Sequence, residues 1–351
     1  MNLSKFGRLV LGLFILALGA CSLTVSAQSG YHLIKKVPLA AAPGGREYSD
    51  YITLDAAAHR VYLSHGAEVQ VLDSSNWSVV GTINGLQLCH GVALMPELGK
   101  GFITDGEAAK VVIFDIKSLK VTGEVKTDQP DTDTIMYDQA SKHIFTFNGD
   151  SKNMTVIDPV KEVVVKTVSL GGKVEFPVPG DFGAIYDNNA GTNEVTLIDS
   201  RALTVKARWP VAPAGQPVAL AIDKKNRRLF SSGRDPQFLV MMDADNGKVI
   251  QSFPISAGVD TNIFDPETGM LFVSTREGMI HIFHEDSPDK LSQVETVKTE
   301  YGAKTMALDP DTHNLYLVTS DFDPPAAPTE KQPHPLPRAK PGNFRLLIYG
   351  R

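Results

Sequence analysis

The stretch VQVLDSSNWSVVGTI, residues 69–83, decides the fold of this chain because close copies of it recur at a fixed interval. Each copy is a hydrophobic run ending in Asp, a short polar turn, and a second run rich in β-branched residues. The copies are VVIFDIKSLKVTGEV (111–125), MTVIDPVKEVVVKTV (154–168), VTLIDSRALTVKARW (195–209) and LVMMDADNGKVIQSF (239–253). Their aspartates lie 41 to 44 residues apart, so the chain is a repeat array.

A second motif runs in phase with the first. It is a hydrophobic run, a polar turn and an aromatic or β-branched run, as in ITLDAAAHRVYLS (52–64), ALAIDKKNRRLFSS (219–232) and MALDPDTHNLYLVT (306–319). Together the two motifs supply four short strands per unit, since period-two patterning and Gly, Asp and Asn turns favour strands over helices. A four-stranded unit of this length predicts an all-β fold, a seven-bladed β-propeller.

The two ends of the repeat array predict how the ring closes. The last unit has only three strands between Gly302 and Arg351, while the run YHLIKKVPL (31–39) precedes the first unit without a partner. We expect this N-terminal run to supply the outer strand of the last blade, because closure protects exposed sheet edges. The domain then covers residues 31–351 with a proline-rich insertion at 321–343.

The repeat, written as VxVID, a turn and VxxTI, resembles that of the YVTN-repeat, YncE-like family of exported seven-bladed propellers. The partner motif, D-x-x-x-x-x followed by hydrophobic, Tyr or Phe, and hydrophobic, is also similar. The resemblance covers essentially the whole mature chain. It implies the propeller fold and a location in the cell envelope, and it implies no shared catalytic signature.

The N-terminus predicts export. Lys5 and Arg8 precede a twelve-residue apolar run, LVLGLFILALGA (9–20), which is too short to span a bilayer but typical of a secretory signal. Cleavage after residue 27 would release a periplasmic or secreted protein. A bacterial lipobox ending at Cys21 would instead remove residues 1–20 and make Cys21 the lipid-bearing residue of an outer-membrane lipoprotein.

Charge and motif content exclude several classes of function. The net charge of −6 gives no support for binding nucleic acid, which requires basic patches. The chain has no G-x-S-x-G, H-E-x-x-H, C-x-x-C or P-loop motif. The recurring Asp is interpreted as a turn residue whose carboxylate accepts backbone hydrogen bonds. We therefore expect a monomeric binding or scaffold protein rather than an enzyme.

The candidate site is the mouth of the central channel, where the inner strands begin. Counting five residues back from the turn Asp of the second motif, with looser alignment in two blades, gives the candidate residues. They are Asp50, His90, Asp133, Glu175, Asp260 and Lys304, and Asn262 is added because it lies close to Asp260 in register. Two carboxylates about 10 Å apart repel by roughly 1.7 kcal/mol at an effective dielectric of 20, so the acids need a cation, raised pKa values or water.

Two interpretations of this mouth remain open. One is a solvated acidic rim that forms part of a loop-rich face for a protein partner or small ligand. The other is a divalent-cation site, with Asp133, Glu175, Asp260 and Asn262 as the candidate ligands. A metal there would suit a lactonase-like hydrolase, since a channel metal can polarise a carbonyl. The proline-rich insertion is either a lid or docking arm over the mouth or a tolerated surface insertion.

Overall fold

A computed structural model describes residues 30–327, 329 and 335–351. The predicted signal segment and Cys21 lie outside the described residues. Within the described part of the chain, no helix combines the length and the apolar character needed to cross a membrane.

The described residues form seven antiparallel sheets of four strands, as the repeat predicts. The chain enters through β1 (His32–Pro38) and then builds six blades in succession. Blade one is β2 (Ile52–Asp55), β3 (Arg60–His65), β4 (Glu68–Asp73) and β5 (Val79–Ile83). Blade two is β6 (Cys89–Met95), β7 (Lys100–Asp105), β8 (Lys110–Asp115) and β9 (Val121–Lys126). Blade three is β10 (Thr132–Asp138), β11 (His143–Asn148), β12 (Asn153–Asp158) and β13 (Val163–Ser169).

The remaining blades follow the same plan. Blade four is β14 (Val174–Pro179), β15 (Ala184–Asn189), β16 (Glu194–Asp199) and β17 (Thr204–Pro210). Blade five is β18 (Pro217–Asp223), β19 (Arg228–Gly233), β20 (Phe238–Asp243) and β21 (Val249–Pro254). Blade six is β22 (Val259–Asp265), β23 (Met270–Thr275), β24 (Met279–Ser287) and β25 (Lys290–Lys298). Blade seven holds β26 (Met306–Leu308), β27 (Leu315–Thr319) and β28 (Arg345–Gly350). Two short 3₁₀ helices cover Pro43–Gly45 and Pro96–Leu98.

The N-terminal strand closes the ring, which confirms the prediction. β1 pairs antiparallel with β28 and becomes the outer strand of blade seven, with His32 opposite Gly350 and Pro38 opposite Arg345. Just before it, buried Tyr31 packs its ring 5.1 Å from that of Phe272 and donates a hydrogen bond to the His313 carbonyl at 2.8 Å. The inner strands contact one another in order, and β2 contacts β26.

The recurring aspartates are turn residues, as predicted. In each copy the carboxylate accepts a backbone N–H two or three residues further on, at 2.7 to 3.0 Å. These are Asp73, Asp115, Asp158, Asp199 and Asp243. Each such bond contributes roughly 1 kcal/mol, so the repeated residue serves the hairpin geometry rather than a site.

The cores lie between blades rather than within them. Tyr62 of blade one, for example, packs with Phe114 and Cys89 of blade two in one buried cluster. Burial raises the pKa of the Cys89 thiol to about 12, and Sγ donates to the Glu68 carbonyl at 3.0 Å. Cys89 is therefore an inert core residue.

Closure predicts a large stability loss when Tyr31 is truncated. Tyr31→Ala removes a buried ring that ties the N-terminus to blade six, and we expect it to lower the free energy of unfolding by about 3 kcal/mol. Lys35→Ala, on an exposed position of β1, should change it by less than about 0.5 kcal/mol. Urea unfolding followed by Trp fluorescence measures both. Equal effects of the two substitutions would contradict the role given to Tyr31.

Candidate functional site

A β-bulge places one residue of most inner strands at the channel mouth. In blades two to six the pairing between the first and second strands shifts register at the start of the inner strand. The residues in these shifts include His90, Asp133, Glu175, Val218 and Asp260. Bulges redirect side chains and are frequent beside functional sites. Because the inner strands form a closed ring, the bulges bring side chains from different blades together.

The tightest part of the mouth is a cluster of Asp50, His90 and Asp133. His90 Nδ1 lies 2.8 Å from Asp50 Oδ2 and 3.4 Å from Asp133 Oδ1. The Tyr48 hydroxyl donates to Asp50 Oδ2 at 2.9 Å. One potential ligand atom from each of the three clustered residues lies within 4.8 Å of the other two. The three blades thus present an imidazole and two carboxylates to one point.

Two groups of this cluster, His90 and Asp133, have raised pKa values. Burial lowers the pKa of His90, but the hydrogen bond to Asp50 and the charge of Asp133 outweigh it and raise this pKa to about 9. Burial and the neighbouring Asp50 charge raise the pKa of Asp133 well above its usual range. At neutral pH His90 is therefore a cation, and Asp133 competes for a proton.

Asp260 anchors the opposite side of the mouth. Its Oδ2 accepts from Lys304 Nζ at 2.6 Å and from the Thr305 hydroxyl at 3.2 Å, while Arg234 pairs with Oδ1. Lys304 Nζ is also 3.8 Å from Asp50 Oδ1, so it joins the two halves. Burial raises the pKa of Asp260, yet Lys304 and Arg234 overcome this and hold it at about 2.

Glu175 has its own cation. Lys173 Nζ lies 3.2 Å from Glu175 Oε1, and burial raises the pKa of this carboxyl despite the nearby lysine. The mouth therefore combines four acids with Lys173, Arg234, Lys304 and protonated His90. Because these charges alternate at short range, the repulsion expected of an acidic rim is largely compensated inside the protein.

Asn262 lies apart from this network. Its amide is buried and donates to the Phe230 carbonyl and the Ser232 hydroxyl, both at 2.9 Å, and Ser232 Oγ also lies 3.0 Å from Asn262 Oδ1. Of the four residues predicted as metal ligands, Asp133 alone belongs to the group with ligand spacing. Asp260 and Glu175 are engaged by lysines, and Asn262 by blade five.

Sequence reasoning missed two cations and placed one histidine loosely. Arg234 comes from the loop SSGRDPQ (231–237), and Lys173 stands two residues before Glu175. Lys173 was visible as a basic residue beside an inner-strand start, whereas Arg234 follows the second strand of blade five and nothing in the repeat links it to Asp260. In blade two Met95 takes the position of the turn Asp, so counting five residues back from Met95 gives His90 directly.

The mouth adjoins a cavity of about 430 Å³. Tyr48 and Lys304 line it from the mouth, and residues 336–339 of the proline-rich insertion line it from outside. This volume lies within the range of small-molecule sites. The described part of the insertion therefore lies beside the mouth rather than away from it.

Comparisons with known proteins support the fold. No protein-family model matches the chain, and no curated protein matches it. The Kuenenia stuttgartiensis hydrazine synthase structure is similar with a TM-score of 0.66 and 15% identity, covering 77% of this chain and 92% of that one. The WD40 β-propeller domain of Doa1 is similar with a TM-score of 0.71 and 10% identity, covering 92% and 98%.

The fold and these similarities define the class of protein. The chain is a seven-bladed β-propeller. At identities this low the likeness concerns the fold alone. Membership of the YncE-like family stays a prediction from the repeat.

The raised pKa of His90 predicts a pH-dependent stability. A folded pKa of about 9 against about 6.5 unfolded gives stabilisation that is complete below pH 6.5 and lost as the pH rises through 9. We expect His90→Gln to lower the unfolding free energy by about 3 kcal/mol at pH 6.5 and by much less at pH 9.5. Urea unfolding across this range measures it. The matched substitution His32→Gln, at an exposed position, should leave the wild-type pH profile unchanged; a pH-independent loss in His90→Gln would contradict the assignment.

Proposed function

We propose that this protein is an exported binding protein of the cell envelope, and that it holds a small polar ligand at the channel mouth. One observation carries the proposal: six of the seven inner strands have an ionisable residue at the mouth, within two residues of the first residue of the strand. The six residues are Asp50, His90, Asp133, Glu175, Asp260 and Lys304. The exception is Val218 in blade five.

The cost of these charges supports a functional role. Burying a charge is unfavourable unless it is paired, and buried ion pairs are often replaceable by apolar side chains without loss of stability. Val218 shows that an apolar residue fits this ring position. A charged mouth is therefore better explained by recognition than by the needs of the fold.

The alternating charges favour a ligand with both donor and acceptor groups. Lys304 and Arg234 offer donors on one side, and Asp50 and Asp133 offer acceptors on the other. A zwitterionic or polar neutral molecule matches this pattern without changing the net charge of the mouth. The polar loops around the mouth extend the same face toward a larger partner.

A metal-dependent hydrolase is the second candidate, favoured by the spacing of Asp50, His90 and Asp133. Imidazole and carboxylate groups are ordinary ligands of Zn²⁺ and Mn²⁺. The cation would have to displace the protons of His90 and Asp133, so its binding would strengthen as the pH rises. The internal cations already balance the acids, which is why we rank this function second.

Metal titration separates the two functions. The binding-protein proposal predicts that Ca²⁺, Mn²⁺ and Zn²⁺ leave the melting temperature unchanged at pH 6 and at pH 8. A hydrolase metal site would raise it, more strongly at pH 8, and Asp133→Asn would abolish the rise. Because Asn has nearly the same shape and volume as Asp, this substitution should preserve the fold. A cation-dependent rise that disappears in this variant would overturn the ranking.

Ligand binding at the mouth is tested with defined probes. We expect one class among amino acids, dicarboxylates, diamines and sugars to raise the melting temperature of the wild type. In Asp50→Asn the apparent affinity for that class should fall at least tenfold. In Asp150→Asn, which changes an exposed position, the rise in melting temperature should persist. Equal binding by both variants, or no response to any class, would contradict the mouth as the site.

Export is tested on the intact chain in a bacterial host. Signal cleavage predicts a mature protein beginning at Gln28, and the lipobox predicts one beginning at lipid-modified Cys21. Mass spectrometry of the mature N-terminus distinguishes them. Cys21→Ala should leave the first form unchanged and release the second from the membrane fraction, whereas an unprocessed N-terminus would contradict export.

A further inference from the structure

We propose that the cavity between the channel mouth and the proline-rich insertion binds a small organic anion with an aromatic body. This inference rests on the proposed binding function and deepens it, because the cavity shares Tyr48 and Lys304 with the mouth. It assigns a second recognition surface with its own chemistry, separate from the cluster of Asp50, His90 and Asp133.

The walls of the cavity are largely aromatic and apolar. Tyr301 and Phe322 form one side, with their rings edge to face at 5.2 Å. Phe344 lies deeper, where it is stacked on the His65 ring, and Leu336 and Pro337 of the insertion form the outer side. Such walls suit a planar apolar body, since aromatic pairs favour stacked or edge-to-face contacts.

The charges on the walls are almost all positive. Arg46, Arg276, Lys304 and Arg338 line the cavity, and Glu47 is the acid among its lining residues. Glu47 is already engaged, because Oε2 pairs with buried His65 and Oε1 accepts from the Gly342 amide at 2.9 Å. Among the lining residues that the structure describes, an anion would therefore meet donors without a competing free carboxylate.

Of the four cations that line the cavity, two are paired with carboxylates and two are not. Arg46 pairs with Glu107 at 2.7 Å, and Lys304 pairs with Asp260. Arg276 and Arg338 have no carboxylate within ion-pair distance among residues 30–327, 329 and 335–351. A guanidinium offers two parallel N–H donors that match a carboxylate or phosphate, so these arginines are the expected anion contacts.

The outer wall is fixed by backbone hydrogen bonds. Phe322 and Ala339 form an antiparallel bridge, the Asp323 amide donates to the Arg338 carbonyl at 2.9 Å, and the Lys340 amide donates to the Asp321 carbonyl at 2.7 Å. These hydrogen bonds hold residues 321–323 and 338–340 together at the outer wall of the cavity. A site held in place before the ligand arrives loses less entropy on binding.

Isothermal titration of the full mature chain with 2-naphthoate tests the inference. 2-Naphthamide, which has the same rings and no charge, and inorganic phosphate, which has charge and no rings, are the matched probes. We expect naphthoate to bind at least tenfold more tightly than either. An equal affinity for naphthamide, or no heat with naphthoate, would overturn the proposal.

Variants then locate the site. Arg276→Gln and Arg338→Gln should each weaken naphthoate binding by about tenfold, because each removes a charge-assisted hydrogen bond. Arg338 is exposed, so its variant keeps the test valid should Arg276→Gln fold poorly. Arg201→Gln, at an exposed position outside this cavity, should bind as the wild type does. Unchanged binding by Arg338→Gln would contradict the assignment.

The mouth variant Asp50→Asn separates this inference from the proposed function. We expect it to lose the mouth ligand and keep naphthoate. Loss of naphthoate in Asp50→Asn but not in Arg338→Gln would place the anion in the mouth and overturn the inference. A wild type that binds a mouth ligand but not naphthoate would defeat the inference alone.

Discussion

Every blade of this protein must bury both of its faces against neighbours, and that constraint governs the rest of the structure. A four-stranded sheet has no hydrophobic core of its own, and the buried clusters here run from one blade to the next. The first and last blades can bury their facing surfaces against each other only when the ring closes. The pairing of β1 with β28, reinforced by Tyr31 against Phe272, is therefore the contact that completes the array.

Closure also explains the chemistry of the mouth. Seven inner strands that converge on one axis bring their first side chains together whatever their charge. The protein compensates by alternating acids with bases and by raising pKa values, as at Asp133 and Glu175. This charge compensation stabilises the mouth without requiring a bound cation. It also leaves both donors and acceptors available to a ligand.

The sequence predicted the fold well because each blade corresponds to one copy of a repeat of regular length. One copy such as residues 69–83 is only a hairpin, but its recurrence sets the blade length, the strand order and the position of inner-strand starts. Asp50 and Asp133 were found by counting back from a turn Asp. His90 was located less directly because Met95 replaces that Asp in blade two.

The site was only partly predictable because local rules do not describe contacts between blades. Asp260 and Asn262 are two residues apart, and strand alternation would place both on one side. The register shift between Val259 and Thr261 interrupts that alternation, and Asn262 bonds to blade five instead. Arg234 reaches Asp260 from a loop 26 residues away. Periodicity within a repeat cannot reveal such a contact.

The ionised state of Asp260 links the two recognition surfaces. Its carboxylate would repel an anion in the neighbouring cavity if its charge were unpaired. Lys304 and Arg234 bind its two oxygens, so the charge is neutralised within the mouth. The charge of Arg276 also lowers the pKa of Asp260. Its guanidinium nevertheless forms no ion pair with a carboxylate in the described chain, and it lines the cavity. The pairing of the acids in the mouth is thus what allows the adjacent cavity to be positively charged.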